Sequence, residues 1–229
     1  MPPSRKNAGK KGPVKKAPPT RPAPKTAKKV VAPKVASKRA APAKKAAAPK
    51  ASASKAGVLM TAAEMARAID AMAKAIRREF PRPAGLLVLG IRTRGVVLAE
   101  RLRAALEEAY DANVASGVLD ITLYRDDLST LGAQPMVHDS VIPHDVTGTH
   151  VILVDDVLYT GRTIRAAMDE IIDYGRPAHI RLAVLVDRGC REYPIQADYV
   201  GRTVATTPNQ VVRVSLSEID DRDEVVVKG

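Results

Sequence analysis

Residues 151–163 of the chain are VILVDDVLYTGRT, and this stretch predicts both the fold and the kind of ligand. Four branched apolar residues precede Asp155 and Asp156, a pattern typical of a central strand in a parallel sheet. Residues 160–163 then open a helix, whose free N–H groups and dipole favour a phosphate. Open α/β sheets bind ligands at the carboxyl ends of their strands, so carboxylates beside a phosphate loop predict a phosphorylated pentose. The alternative is an Asp pair that serves only as a turn and helix cap.

A second polar turn follows another buried strand. Residues 86–91 (LLVLGI) lead into Arg92, Thr93, Arg94 and Gly95, and residues 96–109 have a helical pattern. The threonine offers a hydroxyl, the glycine lets a phosphate approach the backbone, and the arginines offer paired donors. A second anion site beside the first is what a pyrophosphate needs. The alternative is a plain connection with exposed arginines.

The next segment combines a predicted strand with a long irregular loop. Residues 118–124 (VLDITLY) predict a third strand, which ends at Arg125 and Asp126. Roughly twenty residues without periodicity follow, and loops of that length in a compact domain are usually functional or mobile. We expect a lid over the site, hinged at Arg125 and Asp126. A peripheral hairpin over residues 136–142 is compatible with this lid.

The remaining elements complete an alternating β-α pattern. Thr61 and Glu64 form a capping box for a first helix with an apolar stripe, and residues 164–174 predict a later helix. Residues 180–186 predict a buried strand that ends in Asp187 and Arg188. We expect these two side chains to contact a base or phosphate; the alternative is a local ion pair. Three short late strands predict a small covering lobe: residues 197–201, 210–216 and 225–227.

Charge divides the chain into two parts. Residues 1–56 hold 14 Lys and 3 Arg without any Asp or Glu, a charge of +17, whereas residues 57–229 carry −5. The first part consists mainly of Lys, Ala and Pro without aromatic residues, so it cannot bury a core and we expect disorder. Such a tail can bind nucleic acid or another polyanion nonspecifically by counterion release, or act only as a solvated tail. The second part is one domain of ordinary size.

Several classes of protein are disfavoured. No apolar run reaches about 18 residues, so we expect no membrane span, and residues 1–56 lack the apolar segment of a secretory signal. Cys190 is the only cysteine, which fits a reducing, cytoplasmic compartment. The four histidines lack metal-ligand spacing, and no nucleophile elbow is present.

These motifs resemble those of a known family. VILVDDVLYTGRT is similar to the ribosyl-pyrophosphate signature of type I phosphoribosyltransferases, although Tyr159 stands where that signature prefers a small residue. The tyrosine matches the branch of bifunctional pyrimidine-operon regulators and uracil phosphoribosyltransferases. Further segments of the chain are also similar to patterns of that branch: GIRTRG (90–95), DITLYRDDLS (120–129), GRP (175–177), LAVLVDRG (182–189) and ADYVG (197–201).

The resemblance implies a parallel sheet flanked by helices with a small hood, and the reaction of uracil with 5-phosphoribosyl 1-diphosphate (PRPP) and Mg²⁺ to give UMP and diphosphate. Asp155, Asp156 and Arg125 would be catalytic, with the two aspartates on the ribose hydroxyls and Mg²⁺ bound through PRPP rather than by protein side chains alone. Asp187 and Arg188 would lie beside the base. The remaining PRPP contacts would come from two turns: Arg92, Thr93, Arg94 and Gly95, and Val157, Leu158, Tyr159, Thr160, Gly161, Arg162 and Thr163.

The resemblance also implies UMP-dependent binding of the leader RNA of pyrimidine-biosynthesis genes, and a homodimer or higher oligomer. Here the chain departs from the family at Cys190 and Gln196, where the family has His and Arg. Loss of two basic or titratable side chains weakens phosphate contacts, and leaves Thr93, Arg191 and Arg202 as candidates. Three possibilities remain: an enzyme that also regulates, an enzyme alone, and a nucleotide-sensing RNA binder with little catalysis.

Overall fold

The computed structural model describes residues 57–124, 139–143 and 145–229, which form two sheets and the helices around them. In chain order the elements are β1 (Val58–Thr61), α1 (Ala62–Glu79), β2 (Leu86–Ile91), α2 (Arg94–Tyr110), β3 (Ala115–Leu119), a 3-10 turn (Ile121–Tyr124), β4 (His150–Leu158), α3 (Arg162–Asp173), β5 (His179–Asp187), β6 (Tyr199–Thr203), β7 (Val211–Ser215), the one-turn α4 (Ser217–Asp220) and β8 (Glu224–Lys228).

The larger sheet has five parallel strands in the order β3-β2-β4-β5-β6, with β4 at its centre. Alternate residues of each strand face opposite sides, and both sides are covered by helices. Val88 and Val154 pack with α1 and α2, whereas Leu89 and Leu153 pack with α3. Burying each such side chain stabilises the fold by about 1.5–3 kcal/mol. The α/β class with a parallel sheet flanked by helices, predicted from the sequence, is confirmed.

The smaller sheet is the hood. Its three antiparallel strands have the order β1-β8-β7, so residues from both ends of the described domain meet there. Arg101 of α2 ties the hood to the rest of the domain, because its guanidinium lies 2.5 Å from a Glu218 carboxylate oxygen and 2.7 Å from one of Asp223.

Helix α1 begins as the sequence predicts. The Thr61 side chain accepts from the Glu64 N–H, and the Glu64 carboxylate accepts from the Thr61 N–H at 2.9 Å, which completes the capping box. The apolar stripe below it is buried in the core: Met65, Ile69, Met72 and Ile76. The core interpretation of this methionine-containing stripe is confirmed.

Two strand predictions were wrong. The third strand ends at Leu119 instead of continuing to Tyr124, because the Asp120 carboxylate accepts bonds from the Thr122 N–H and hydroxyl and turns the chain into the 3-10 turn. The strand predicted at residues 197–201 is β6, which extends the large sheet instead of covering it. Gly201 allows this pairing, since a Cβ there would lie 2.7 Å from the Leu185 carbonyl oxygen.

Some predictions fall outside the described residues. These are the disordered tail over residues 1–56, the hinge residues Arg125 and Asp126, and the lid through residue 138. Of the hairpin predicted at residues 136–142, the described end includes Val141, which forms an antiparallel bridge with Val118 of β3. The boundary between tail and domain therefore stays a prediction.

Candidate active site

A cleft of about 450 Å³ lies at the carboxyl ends of β2, β3 and β4. It brings together three polar segments that are far apart in sequence, and α3 contributes one further hydroxyl. The lining polar residues are Arg92, Thr93, Arg94, Asp120, Thr122, Asp155, Asp156 and Thr163. The predicted ribose site and the predicted pyrophosphate turn thus share one cavity.

The two aspartates lie within β4, which continues four residues past the apolar run to Leu158. The Asp155 side chain accepts a bond from the Asp156 N–H at 2.9 Å, and the Asp156 side chain accepts from the Val157 N–H at 2.8 Å. Asp155 is only 7% exposed. Burial, and next the charge of Asp156, raise the pKa of Asp155 well above its ordinary value.

Burial also raises the pKa of Asp156, although the Val157 N–H and the Arg94 charge oppose this rise. The buried Asp155 and the partly buried Asp156, both with raised pKa, are most stable when hydroxyl donors or a cation compensate their charge. The pair therefore suits ribose hydroxyls, and its hard oxygen donors suit the hydrated Mg²⁺ that accompanies a polyphosphate.

The predicted pyrophosphate turn packs directly against the aspartate strand. A Cβ on Gly95 would lie 2.6 Å from the Val154 carbonyl oxygen and 3.4 Å from the Asp155 Cα, so only glycine fits at the start of α2. The peptide between Arg92 and Thr93 is cis. Arg94 donates to the Asp220 carboxylate of the hood at 3.1 Å. The turn is consequently held between β4 and the hood.

The predicted phosphate loop forms the start of α3. Gly161 has a φ of +95° in the left-handed region, and the helix begins at the next residue. The Thr160 hydroxyl accepts from the Arg162 N–H at 3.3 Å, and Thr163 reaches the cleft. A helix start with this geometry presents backbone N–H groups to an anion.

At the strand end, Asp187 forms a local ion pair, the alternative that the sequence left open, but its partner is Arg191 and not Arg188. Asp187 pairs with Arg191 at 2.6 Å, whereas Arg188 is buried, and its guanidinium carbon lies 3.9 Å from the centre of the Tyr159 ring. Arg188 also donates from Nε to the Thr206 hydroxyl at 3.0 Å. Tyr159 and Arg188 therefore form one stacked unit beside the phosphate loop, a cation–π contact that sequence spacing did not reveal.

The two arginines predicted to contact RNA are both engaged within the chain. Arg191 donates to the carbonyl oxygens of Tyr159 at 2.8 Å and Ile195 at 2.9 Å in addition to its ion pair, so it holds this loop together, and RNA contact by Arg191 stays a prediction. Arg202 lies 3.7 Å from Glu64. Cys190 and Gln196, the departures from the family pattern, are both exposed.

Two polar residues of the cleft, Asp120 and Thr122, were missed from sequence. Asp120 lines the cleft, is 7% exposed, and lies 3.9 Å from Arg92 Nε. The Asp-Ile-Thr sequence is the signal that could have revealed it, because an aspartate two residues before a threonine favours a side-chain turn at a strand end. Among the described residues, no group of three or more His, Cys, Asp or Glu is arranged to hold a metal, and no helix is long and apolar enough to cross a membrane.

Comparison with known proteins identifies the family. A family model described as a phosphoribosyl transferase domain matches residues 58–219. The bifunctional protein PyrR of Thermus aquaticus is 53% identical over 167 residues, which cover 73% of this chain and 92% of that protein. The chain belongs to the PyrR family of phosphoribosyltransferases. The PyrR protein of Deinococcus deserti is 52% identical over 167 residues, covering 73% of this chain and 91% of that protein.

A solved structure supports the fold. Hypoxanthine phosphoribosyltransferase from Trypanosoma cruzi, in a ternary complex with its substrates, has a TM-score of 0.59 and 23% sequence identity, and covers 76% of this chain and 95% of that chain. The resemblance to type I phosphoribosyltransferases, stated from the motifs, is confirmed.

Proposed function

We propose that this PyrR-family protein is a uracil phosphoribosyltransferase that also regulates pyrimidine-biosynthesis genes by UMP-dependent leader-RNA binding. One observation carries the enzymatic part: Asp155 and Asp156 share a cleft with the Arg92–Gly95 turn and with Thr163 of α3. In this proposal the turn and the helix start supply two anion sites, which together with the carboxylate pair correspond to the 5′-phosphate, the ribose and the pyrophosphate of PRPP.

In this proposal the protein contributes orientation and electrostatics. The 5′-phosphate lies on the N–H groups at the start of α3, and the pyrophosphate lies at the start of α2. The ribose hydroxyls donate to Asp155 and Asp156. The bond between ribose C1 and the pyrophosphate oxygen breaks, uracil N1 bonds to that carbon, and the N1 proton is released.

Charge develops on both reacting groups in this step. The ribose becomes oxocarbenium-like, and the buried carboxylates stabilise its positive charge while the arginines stabilise the leaving pyrophosphate. Mg²⁺, brought by PRPP, would neutralise further pyrophosphate charge when bound. Arg125 remains a proposed catalytic residue, and Asp187 and Arg188 remain proposed base-side residues.

The catalytic proposal is tested with the full-length chain, uracil, PRPP and Mg²⁺. We expect UMP to form, and we expect the combined substitution Asp155→Asn and Asp156→Asn to abolish turnover while the protein still unfolds cooperatively. Absence of turnover in the wild-type chain would reject the enzyme. Retained turnover in the double variant would move the ribose site elsewhere.

The regulatory proposal is tested by binding to the organism's own pyrimidine leader RNA with and without UMP. We expect tighter binding with UMP, carried in part by Arg202 and Thr93 instead of the internally bonded Arg191. Substituting Cys190→His together with Gln196→Arg restores the family pattern and should strengthen binding. If RNA binding does not depend on UMP, the second candidate function remains, which is an enzyme without RNA attenuation. The departures from the family pattern at Cys190 and Gln196 favour this second function.

We further propose that residues 1–56 are a separate basic segment that binds nucleic acid without sequence preference, in a cytoplasmic homodimer or higher oligomer. The +17 charge of this segment supports electrostatic binding, which carries affinity but no sequence specificity. A gel shift that compares the full chain with residues 57–229 tests this function. Equal retention of nucleic acid by both forms would contradict it.

A further inference from the structure

A pair of histidines lies at the end of the large sheet opposite the active site. His150 is the first residue of β4 and His179 the first of β5, and the two are direct neighbours in the parallel register. The cleft residue Asp155 is five positions along β4, or about 16 Å away at the rise of a strand. The proposed reaction makes no use of these imidazoles.

The two rings converge through the same atom. Nδ1 of His150 lies 3.0 Å from Nδ1 of His179, and the ring centroids are 5.1 Å apart. The Phe80 ring contacts His150 with a centroid distance of 4.9 Å, which limits rotation of that imidazole. His179 is exposed and His150 is partly buried, so water and ions reach the pair.

We propose that His150 and His179 form a binding site for a divalent transition-metal ion, with both Nδ1 atoms as ligands. A metal–nitrogen bond of about 2.05 Å and the 3.0 Å separation give an angle of about 94° at the metal. This angle is nearer the 90° of tetragonal Cu²⁺ or Ni²⁺ than the roughly 109° of tetrahedral Zn²⁺. Imidazole is a good ligand for these ions.

Binding requires both Nδ1 lone pairs. A hydrogen bond between two neutral imidazoles at this distance requires that one Nδ1 carries a hydrogen. That hydrogen must move to Nε2 of the same ring before both Nδ1 lone pairs can bind a metal, and this tautomer change releases no proton. Water completes the coordination, because the described residues offer no third His, Cys, Asp or Glu in a suitable arrangement. The nearby Glu79 is engaged by Arg181 at 2.6 Å and by the Tyr199 hydroxyl at 2.6 Å.

The experiment is calorimetric titration of the full-length chain with Cu²⁺, Ni²⁺ and Zn²⁺ in a weakly coordinating buffer. We expect one Cu²⁺ site per chain, tighter than the Zn²⁺ site, that weakens at acid pH because protons compete for the same lone pairs. His150→Gln and His179→Gln should each weaken Cu²⁺ binding at least about tenfold, since two linked ligands bind more tightly than one.

The matched control is the combined substitution His138→Gln and His144→Gln, which removes the other two histidines and should leave the site intact. Electron paramagnetic resonance of bound Cu²⁺ should report two imidazole nitrogens in the wild-type chain and one in each single variant. Unchanged Cu²⁺ affinity in both single variants, or loss of the site only in the control, would overturn the proposal. Thermal unfolding of every variant establishes that it is folded.

Discussion

Replacing Asp155 with asparagine should make the protein more stable while it abolishes turnover. The Asp155 side chain is 7% exposed and accepts from the Asp156 N–H, a bond that the amide oxygen of asparagine can retain. The substitution removes a buried charge and its repulsion with Asp156, which are the causes of the raised pKa of Asp155. We expect a gain of about 1–2 kcal/mol, in the range of single stabilising changes.

The gain in stability of Asp155→Asn over wild type should increase with pH. Because the folded pKa of Asp155 is raised, this carboxyl contributes stability below its unfolded pKa of about 3.9 and loses it as pH rises through the folded value. Asp155→Asn should therefore resemble wild type near pH 4 and exceed it at pH 8. For a domain of this size, 1–2 kcal/mol corresponds to about 2–8 °C in Tm.

Asp220→Asn is the matched control, with the opposite expectation. The Leu216 N–H, and next Arg94, hold the pKa of Asp220 below its ordinary value, so its carboxylate stabilises the fold above its unfolded pKa. This variant should be less stable than wild type at pH 8, with the difference lost as pH falls through the lowered pKa. Thermal unfolding from pH 8 down to below the ordinary Asp pKa of about 3.9 is the assay, because the Asp220 difference is lost only below that value. A loss of stability in Asp155→Asn at pH 8 would refute the reasoning about the buried pair.

Further predictions concern packing, a buried arginine and the tail. Gly95→Ala and Gly201→Ala each force a Cβ against a carbonyl oxygen, so each should lower the free energy of unfolding in urea by about 1–3 kcal/mol. Only Gly95→Ala should also raise the KM for PRPP. Equal KM values for the two variants would contradict a pyrophosphate site at α2. Arg191→Lys cannot keep both carbonyl bonds and the Asp187 ion pair, so its Tm should fall by an amount equivalent to about 2–4 kcal/mol, and an unchanged Tm would argue against a structural role. Nucleic-acid binding by residues 1–56 should weaken steeply between about 50 and 200 mM salt, because each neutralised phosphate releases counterions, and salt-independent binding would exclude counterion release.

Much of the fold was predictable because its signals are local. Apolar runs that end in polar turns located β2, β4 and β5, and the Thr61–Glu64 pair located the start of α1. The hood was only partly predictable, since β1 is four residues long and its partner β8 lies at the other end of the domain. Its pairing depends on long-range contacts that no local pattern contains.

Like the fold, the candidate site was partly predictable, because part of its sequence signal is local. Each polar turn is a local motif, and the rule that ligands bind at the carboxyl ends of parallel strands brings these turns together. The stacking of Arg188 on Tyr159 and the bonds from Arg191 to Tyr159 and Ile195 could not be predicted, because each joins side chains or carbonyls from separate loops. Arg191 is an example: the family resemblance made it a candidate for RNA contact, but sequence alone did not show that its donors bond to the surrounding loop.

The most direct test of the central claim is product identification with competing bases. The full-length chain is incubated with PRPP, Mg²⁺ and equal concentrations of uracil and hypoxanthine, and the nucleotides are separated by chromatography and identified by mass. We predict that UMP forms and that inosine monophosphate does not. Formation of inosine monophosphate, or of neither nucleotide, would contradict the assignment as a uracil phosphoribosyltransferase.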